Sequence, residues 1–289
     1  MIQYIVGEIN ISTLNMKNNL PITAIRRLFP MEKLTKIGVQ LFTVGSAMKD
    51  VEGIKRTFDK LKKIGYDEIQ TAGSPCGDPE TISYEEFGKL AREAGLDIVG
   101  THDVFEKLRD NTEQAIEEHK ILGTDIMGIG GWWESTVEGY ETFIASVNKI
   151  ASTIAPHGLS FSYHNHCQEF IKLPDGTLPM DRFVNEFDPK NVNFVLDTCW
   201  LQYAGADVRH WIDKLAGRIK ILHLKDMAKE DSPYAIITEI GNGNLWWEGI
   251  MESAFRSNVE HFVVEQDSCP GDPFDSLKIS SDYLHANFF

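Results

Sequence analysis

From residue 37 onward, short runs of apolar, often β-branched residues alternate with longer stretches in which apolar residues recur every three or four positions. The first run, IGVQLFTV at 37–44, predicts a strand. Val51, Ile54, Phe58, Leu61 and Ile64 then share one helical face over 50–64, and Gly65 stands where a helix stop belongs. The alternation continues. Strands expected at 66–70, 96–101, 125–131, 159–166, 191–197, 219–226 and 261–267 each precede a helical pattern, at 83–94, 109–122, 136–155, 180–187, 207–216, 246–257 and 274–286. Eight strand–helix units in strict alternation predict parallel strands joined by right-handed crossovers, closed into one (β/α)8 barrel over 36–289. An open doubly wound sheet is the alternative, but no GxGxxG turn follows an early strand to support a dinucleotide-binding version. Residues 1–35, with their Asn-rich and Pro-bearing segments, lack the pattern and read as an N-terminal extension.

A barrel of this kind builds its site where strands run out into the following loops. In the second half of the chain those ends are polar four times over. Strand five ends in His164, Asn165 and His166, strand six in Asp197, strand seven in His223 with Lys225 and Asp226, and strand eight in Glu265 with Asp267. Side chains alternate along a strand, so His164 and His166 share a face opposite Tyr163 and Asn165, and Glu265 shares one with Asp267. Four neighbouring strands then aim His164, Asp197, His223 and Glu265 at a common point. Two imidazoles and two carboxylates suit one divalent ion, Mn²⁺ first, with Co²⁺, Zn²⁺ or Mg²⁺ as alternatives. A single His or Asp at a strand end is more often a hydrogen-bonded loop residue; four on successive strands argue for a ligand set.

Composition narrows the partners. The 289 residues carry 43 acidic against 28 basic side chains, a formal net charge of −15 without any long basic run. Nucleic-acid binding draws its affinity from Lys and Arg on phosphates, so neither nucleic acid nor an anionic membrane is expected as a partner. No stretch approaches the roughly 20 apolar residues that span a bilayer. Cys76, Cys167, Cys199 and Cys269 form no CxxC pair and read as reduced thiols of a cytoplasmic protein, and no signal peptide is evident.

The segments FSYHNHCQEF, LDTCWLQYAGAD, RIKILHLKDM, EIGNGN and HFVVEQD together resemble the xylose isomerase-like TIM barrel superfamily of sugar phosphate isomerases and epimerases. Within it they are most similar to a subset with a YHNH strand five and an HLKD strand seven, which includes inosose dehydratase-like proteins. The resemblance covers 37–289 and is most specific over 159–267. It implies that strands five to eight supply Glu, Asp, His and Glu to one metal. Asp197, His223 and Glu265 match, whereas His164 stands where the family has Glu, leaving His164, His166 or a water as the fourth ligand. Trp200 replaces a His that the family often has three residues after the strand-six Asp, and reads as an apolar wall for a sugar ring.

A cation on a carbonyl and a neighbouring hydroxyl stabilises the enediolate formed when a base removes the α-proton. Reprotonation gives epimerisation or isomerisation; loss of a β-hydroxyl or glycosidic oxygen gives dehydration or lysis. The candidates for acid, base or substrate contact are His166, Glu265, Lys225 and His102, with Trp200, Glu134 and Trp132 as substrate-binding residues. Each has a plainer reading: His102 as a loop histidine, His166 as a support for His164, Lys225 as an ion-pair partner of Asp226 or Asp267, the Trp132–Trp133 pair as lid packing. Glu169 is placed to orient His166, or is an ordinary loop residue. Trp246 and Trp247 are expected to begin a helix against the barrel wall. The long segment 226–245 is predicted to fold over the substrate, with a subunit contact as the alternative. The leading function is a metal-dependent isomerase or epimerase of a small carbohydrate, with a keto-sugar or keto-inositol dehydratase or lyase as the alternative. A non-catalytic sugar-binding barrel and an endonuclease IV-like repair enzyme rank below, the latter needing three metals and many more ligands. No basic cluster seats a phosphate, and the oligomeric state is left open between a monomer and a homo-oligomer.

Overall fold

Strand β1 (Gly38–Gln40) pairs in parallel with β2 (Glu68–Ala72) on one side and with the last strand, β10 (His261–Val264), on the other. A computed structural model describes residues 32–73, 81–229, 231 and 234–289. The remaining strands of the sheet are β3 (Asp97–His102), β4 (Ile126–Ile129), β5 (Ser160–His164), β6 (Val192–Asp197) and β7 (Ile219–Leu224). Their spatial order is β3-β2-β1-β10-β7-β6-β5-β4, with every paired neighbour parallel. The ring closes between β3 and β4 through a parallel bridge from Asp103 to Ile129 and the bond Asp103 N to Gly128 O at 2.7 Å. Gly128 makes that approach possible, because a Cβ there would lie 2.6 Å from the Thr101 carbonyl oxygen. The chain is a (β/α)8 barrel.

Helices separate the strands, several with capping that the sequence prescribes. Asp50 accepts from Gly53 N at the head of Val51–Ile64, which ends at left-handed Gly65; Ser83 caps Tyr84–Ala94 and Thr136 caps Val137–Ile154. The compact unit spans Leu34–Phe289. Of the N-terminal extension expected at 1–35, residues 1–31 lie outside the described residues.

Strand alternation divides the core in two. Outward-facing residues such as Val39, Phe161, Tyr163, Leu196, Leu222 and Val264 join the large apolar layer beneath the helices. Inward-facing Val99, Ile126, Val195, Ile221 and Val263 form a small separate cluster inside the ring. Two residues further along β6, β7 and the β10 exit stand Asp197, His223 and Glu265, so an apolar plug underlies a polar layer.

Several expectations need correction. Beyond Gln40 the first strand turns into a 3₁₀ helix, Leu41–Ala47, because the Gln40 side chain accepts from Phe42 N at 3.1 Å and caps it. The helix expected over 109–122 is two, Phe105–Asp110 and Thr112–Leu122, broken where Asn111 leaves helical geometry. A short helix, Thr198–Tyr203, follows β6 directly, with Asp197 as its cap. Segment 226–245 is no plain loop: β8 (Asp226–Lys229) pairs antiparallel with β9 (Ala235–Thr238). The buried Asp226 carboxylate accepts from Met227, Gly241, Gly243 and Leu245 backbone N–H groups and from Trp247 Nε1 at 2.7 Å. Trp247 is therefore buried at the helix start, whereas Trp246 is exposed beside Arg209. Residues 230, 232 and 233 of the predicted cover lie outside the described residues.

Candidate metal centre

Register brings the expected ligand residues together. Asp197 at the end of β6 pairs with His223 of β7, and His223 pairs with Val263, two residues before Glu265. His164 closes β5. One ligand atom from each of His164, Asp197, His223 and Glu265 lies within 4.8 Å of all the others, and all four residues are buried. Asp197 Oδ2 is 3.5 Å from His164 Nε2 and 3.7 Å from His223 Nδ1, while Glu265 Oε2 is 2.9 Å from His223 Nδ1.

The surroundings aim these atoms. Asp197 Oδ1 is taken by Trp200 N at 2.8 Å, which turns Oδ2 to the centre, and Asp197 N is fixed by Asn165 Oδ1 at 3.0 Å. His223 Nε2 donates to Gln70 Oε1 at 2.6 Å. That bond puts the imidazole proton on Nε2 and leaves the Nδ1 lone pair facing the two carboxylates. Thr198 Oγ1 donates to the carbonyls of His223 and Lys225, pinning the end of β7.

Donor chemistry and charge both fit a divalent cation. His223 Nδ1 and Glu265 Oε2 are buried and, despite their 2.9 Å separation, not aligned as a hydrogen-bonded pair; His164 Nδ1 also has no partner among the described residues. His164 Nε2 reaches Asp197 Oδ2 in a long 3.5 Å hydrogen bond, whereas His223 Nδ1 and Glu265 Oε2 converge without bonding one another, which suits a shared ion. Burial alone would lower the His223 pKa, but Glu265 and Asp197 outweigh it and raise it, so the site draws positive charge. Lys225 Nζ contacts Glu265 Oε2 at 2.8 Å, Asp267 Oδ2 at 3.0 Å and Asp197 Oδ2 at 3.2 Å. Burial opposes its charge, yet these carboxylates raise its pKa and keep it an ammonium. Against burial, Lys225 and the nearby histidines hold Asp197 and Glu265 well below the usual carboxylate range. Asp197 and Glu265, both held ionised, outnumber the one ammonium, and the negative charge left over favours a bound cation. The buried His/Asp/His/Glu group can therefore bind a metal.

A cavity of about 550 Å³ opens above the group, lined by His102, His164, His166, Lys225, Glu265 and Asp267 on one side. The imidazole of His102 stacks on His164 with centroids 4.9 Å apart, its Nδ1 is 3.1 Å from Gln40 Nε2, and its Nε2 has no partner among the described residues. His166 stands 4.6 Å from His164, ring to ring, and burial together with His164 pushes its pKa down to about 3. Gly131, at φ +132°, makes room for it, since a Cβ there would meet His166 Nδ1 at 3.0 Å. Trp200 lies 5.3 Å from the His166 ring and 5.2 Å from Lys225 Nζ.

Other candidates are placed differently. Glu134 does not reach this cavity: its carboxylate accepts from Ser135 N at 2.6 Å at the head of helix Val137–Ile154, and it lines a separate groove. Trp132 lines the cavity, but its indole is stacked on Phe143 at 4.9 Å, so packing claims that face. Lys225 pairs with Asp267 and not with Asp226, whose carboxylate is saturated by the β8–β9 segment. Glu169 holds the backbone of His166 and not its ring: Oε2 accepts from His166 N at 2.9 Å, and Oε1 from Tyr163 OH at 2.6 Å. Tyr163 OH in turn accepts from Trp132 N at 3.0 Å, so one buried carboxyl ties two mouth loops together. Burial pushes the Glu169 pKa up to about 7.

Sequence reasoning passed over Gln40, Gln70, Tyr163 and Thr198 as working residues. Gln40 and Gln70 sit at inward positions of β1 and β2, and alternation applied to the first half of the chain would have flagged both.

With eight parallel strands and a polar layer at their exits in hand, comparison with known proteins is decisive on one point. The profile of xylose isomerase-like TIM barrels matches residues 58–284. The chain belongs to that family. An inosose dehydratase of Geobacillus thermodenitrificans is 26% identical over 166 residues, 52% of this chain and 55% of the relative. The match thus spans about half the length of such curated relatives. Among solved structures, a sugar phosphate isomerase/epimerase of Parabacteroides distasonis superposes with a TM-score of 0.74 at 21% identity, covering 88% of this chain and 94% of that one. The IolI protein, solved with a bound zinc atom, superposes with a TM-score of 0.66 at 14% identity, covering 88% and 99%. At these identities the structural likeness speaks for the fold.

Proposed function

We propose that this family member is a divalent-metal-dependent isomerase or epimerase of a small keto-sugar, working through an enediolate. The observation that carries the proposal is the convergence of His164, Asp197, His223 and Glu265 within 4.8 Å at the floor of an open cavity. A cation held there supplies the electrophile that acidifies the α-proton and stabilises the enediolate oxygens. The chain's own groups handle the proton. His166 is neutral at ordinary pH and, among the described residues, its buried Nδ1 has no partner, so a lone pair is free to take one. Lys225 stays charged and offsets the negative charge that develops on the substrate. His102, also pressed towards the neutral form by burial, faces the same space.

Dehydration is the second reading, favoured by the likeness to inosose dehydratases. The two share the α-proton step and differ in whether the enediolate is reprotonated or expels a β-hydroxyl. We take Mn²⁺ as the first candidate metal and Zn²⁺, the ion of the IolI neighbour, as the next. Co²⁺ and Mg²⁺ complete the panel. The free thiols of Cys167, Cys199 and Cys269 support a cytoplasmic location. Proton NMR of inosose and a panel of ketoses in D₂O with Mn²⁺ tests the proposal. Deuterium at the carbon next to the carbonyl is expected, and water loss together with exchange identifies a dehydratase. No exchange and no water loss with any substrate and any of the four metals overturns both readings.

A further inference from the structure

The mouth of the barrel carries two chemically different sets of side chains, which meet where the Trp133 ring stands 5.5 Å from that of His166. The ligand set and Lys225 come from β5, β6, β7 and the exit of β10. On the other half, the exits of β1, β3 and β4 contribute Phe42, Val104, Phe105, Trp132 and Trp133 to the same cavity. Phe42, Val104 and Trp133 are each 58% exposed. Large apolar side chains gathered this way at a cavity mouth mark a binding surface.

The cavity is also larger than one sugar ring needs. At the roughly 30 Å³ that a water occupies in the liquid, the dozen or so heavy atoms of a six-carbon keto-sugar would take at most about 360 Å³. The cavity measures about 550 Å³. Among the described residues, nothing fills the apolar half beside a ring seated over His164, Lys225 and Glu265. Charge decides what fits there. Among the described lining residues that half carries Asp103 and Glu106 and no Lys or Arg, so a phosphate is disfavoured. A neutral ring with an apolar face suits it.

We infer that the substrate is a glycoside of a keto-sugar: its carbonyl-bearing ring sits over the ligand group while a second, uncharged ring stacks in the aromatic half against Phe42 and Trp133. This rests on the functional reading above and extends it to a substrate class.

Binding of glucose, cellobiose and 4-nitrophenyl β-glucopyranoside to the Mn²⁺-loaded protein, followed by calorimetry and by tryptophan fluorescence, tests it. The two-ring probes should bind about tenfold tighter than glucose or better, with the nitrophenyl ring quenching Trp133 on contact. Phe42→Ala and Trp133→Ala should each remove most of that preference, with retained Mn²⁺ reporting an intact fold. Equal affinity for one- and two-ring probes, or a preference unchanged in both variants, overturns the inference. So does a Trp133→Ala variant that alters the oligomeric state in sedimentation but not the sugar preference, because the rim would then belong to a second copy of the chain. A clear two-ring preference without deuterium exchange would remove the isomerase and dehydratase readings and leave the subsite standing.

Discussion

His223 Nε2 lies 2.6 Å from Gln70 Oε1, a bond that crosses the barrel interior between strands that are not neighbours. It is the only hydrogen bond described for that nitrogen, and it decides which face of the imidazole is basic. Replacing Gln70 by Leu removes the acceptor, frees the ring to take the other tautomer and leaves a buried N–H without a partner. Metal affinity is expected to fall 10- to 100-fold. Gln70→Glu keeps an acceptor at the same place and should restore most of it. Competition of each variant against a chromophoric chelator measures the change; equal affinity in Gln70→Leu would show that the tautomer is held by something else.

Lys225 contacts the oxygens of Asp197 and Glu265 that face the centre, so it shares them with any bound cation. Lys225→Met leaves buried carboxylates uncompensated when the metal is stripped, and should lower the stability of the chelator-treated protein by about 3–5 kcal/mol. Added Mn²⁺ should return a larger share of that loss in Lys225→Met than it adds to wild type. Urea unfolding with and without metal reads both quantities.

The parts of this molecule that were legible in the sequence are those governed by period. Strand–helix alternation specifies the barrel, and the two-residue alternation along β5, β6 and β7 puts His164, Asp197 and His223 on the inner face. What escaped is side-chain capping and long-range hydrogen bonding. Gln40 folding back on Phe42 N ends the first strand early, and Asp197 caps a helix with one oxygen while facing the centre with the other. Asp226 looked like a mouth residue beside Lys225, yet a strand places the two side chains on opposite faces, and only the structure reveals the ring of N–H donors waiting for it. Glu134 turns towards the head of the following helix for a related reason: proximity to a strand end says nothing about which way a turn aims a carboxylate.

Glu169 should make stability depend on pH. Its carboxyl is raised from an ordinary value of 4.5 to about 7 by burial, so the folded state binds this proton more tightly than the unfolded state. The contribution is therefore fully present below pH 4.5 and is lost as pH rises through about 7, a change of about 3 kcal/mol. Glu169→Gln carries no such proton. The stability difference between wild type and Glu169→Gln, from urea unfolding at pH 4.5 and pH 8, should shift by that order in favour of the variant at high pH. A difference that does not vary with pH would mean that the Tyr163 and His166 hydrogen bonds keep the carboxylate ionised.

Asp226 anchors the segment from β8 to the following helix with five donors, among them Trp247 Nε1. Asp226→Ala strands those donors and is expected to cost about 3 kcal/mol or more. Limited proteolysis should then cut within 226–245 faster than in wild type, while a Trp247→Phe variant, which removes one donor only, should lie between the two.

The central claim is that His164, Asp197, His223 and Glu265 gather around a single cation. Mass-spectrometric metal analysis after chelator stripping, reloading with Mn²⁺ or Zn²⁺ and exhaustive dialysis addresses it directly, run on wild type and on Asp197→Ala/His223→Ala with circular dichroism as the check on folding. About one ion per wild-type chain and none in a folded double variant is the predicted result. Wild type that retains no ion of either kind, or a double variant that still keeps one, would contradict it.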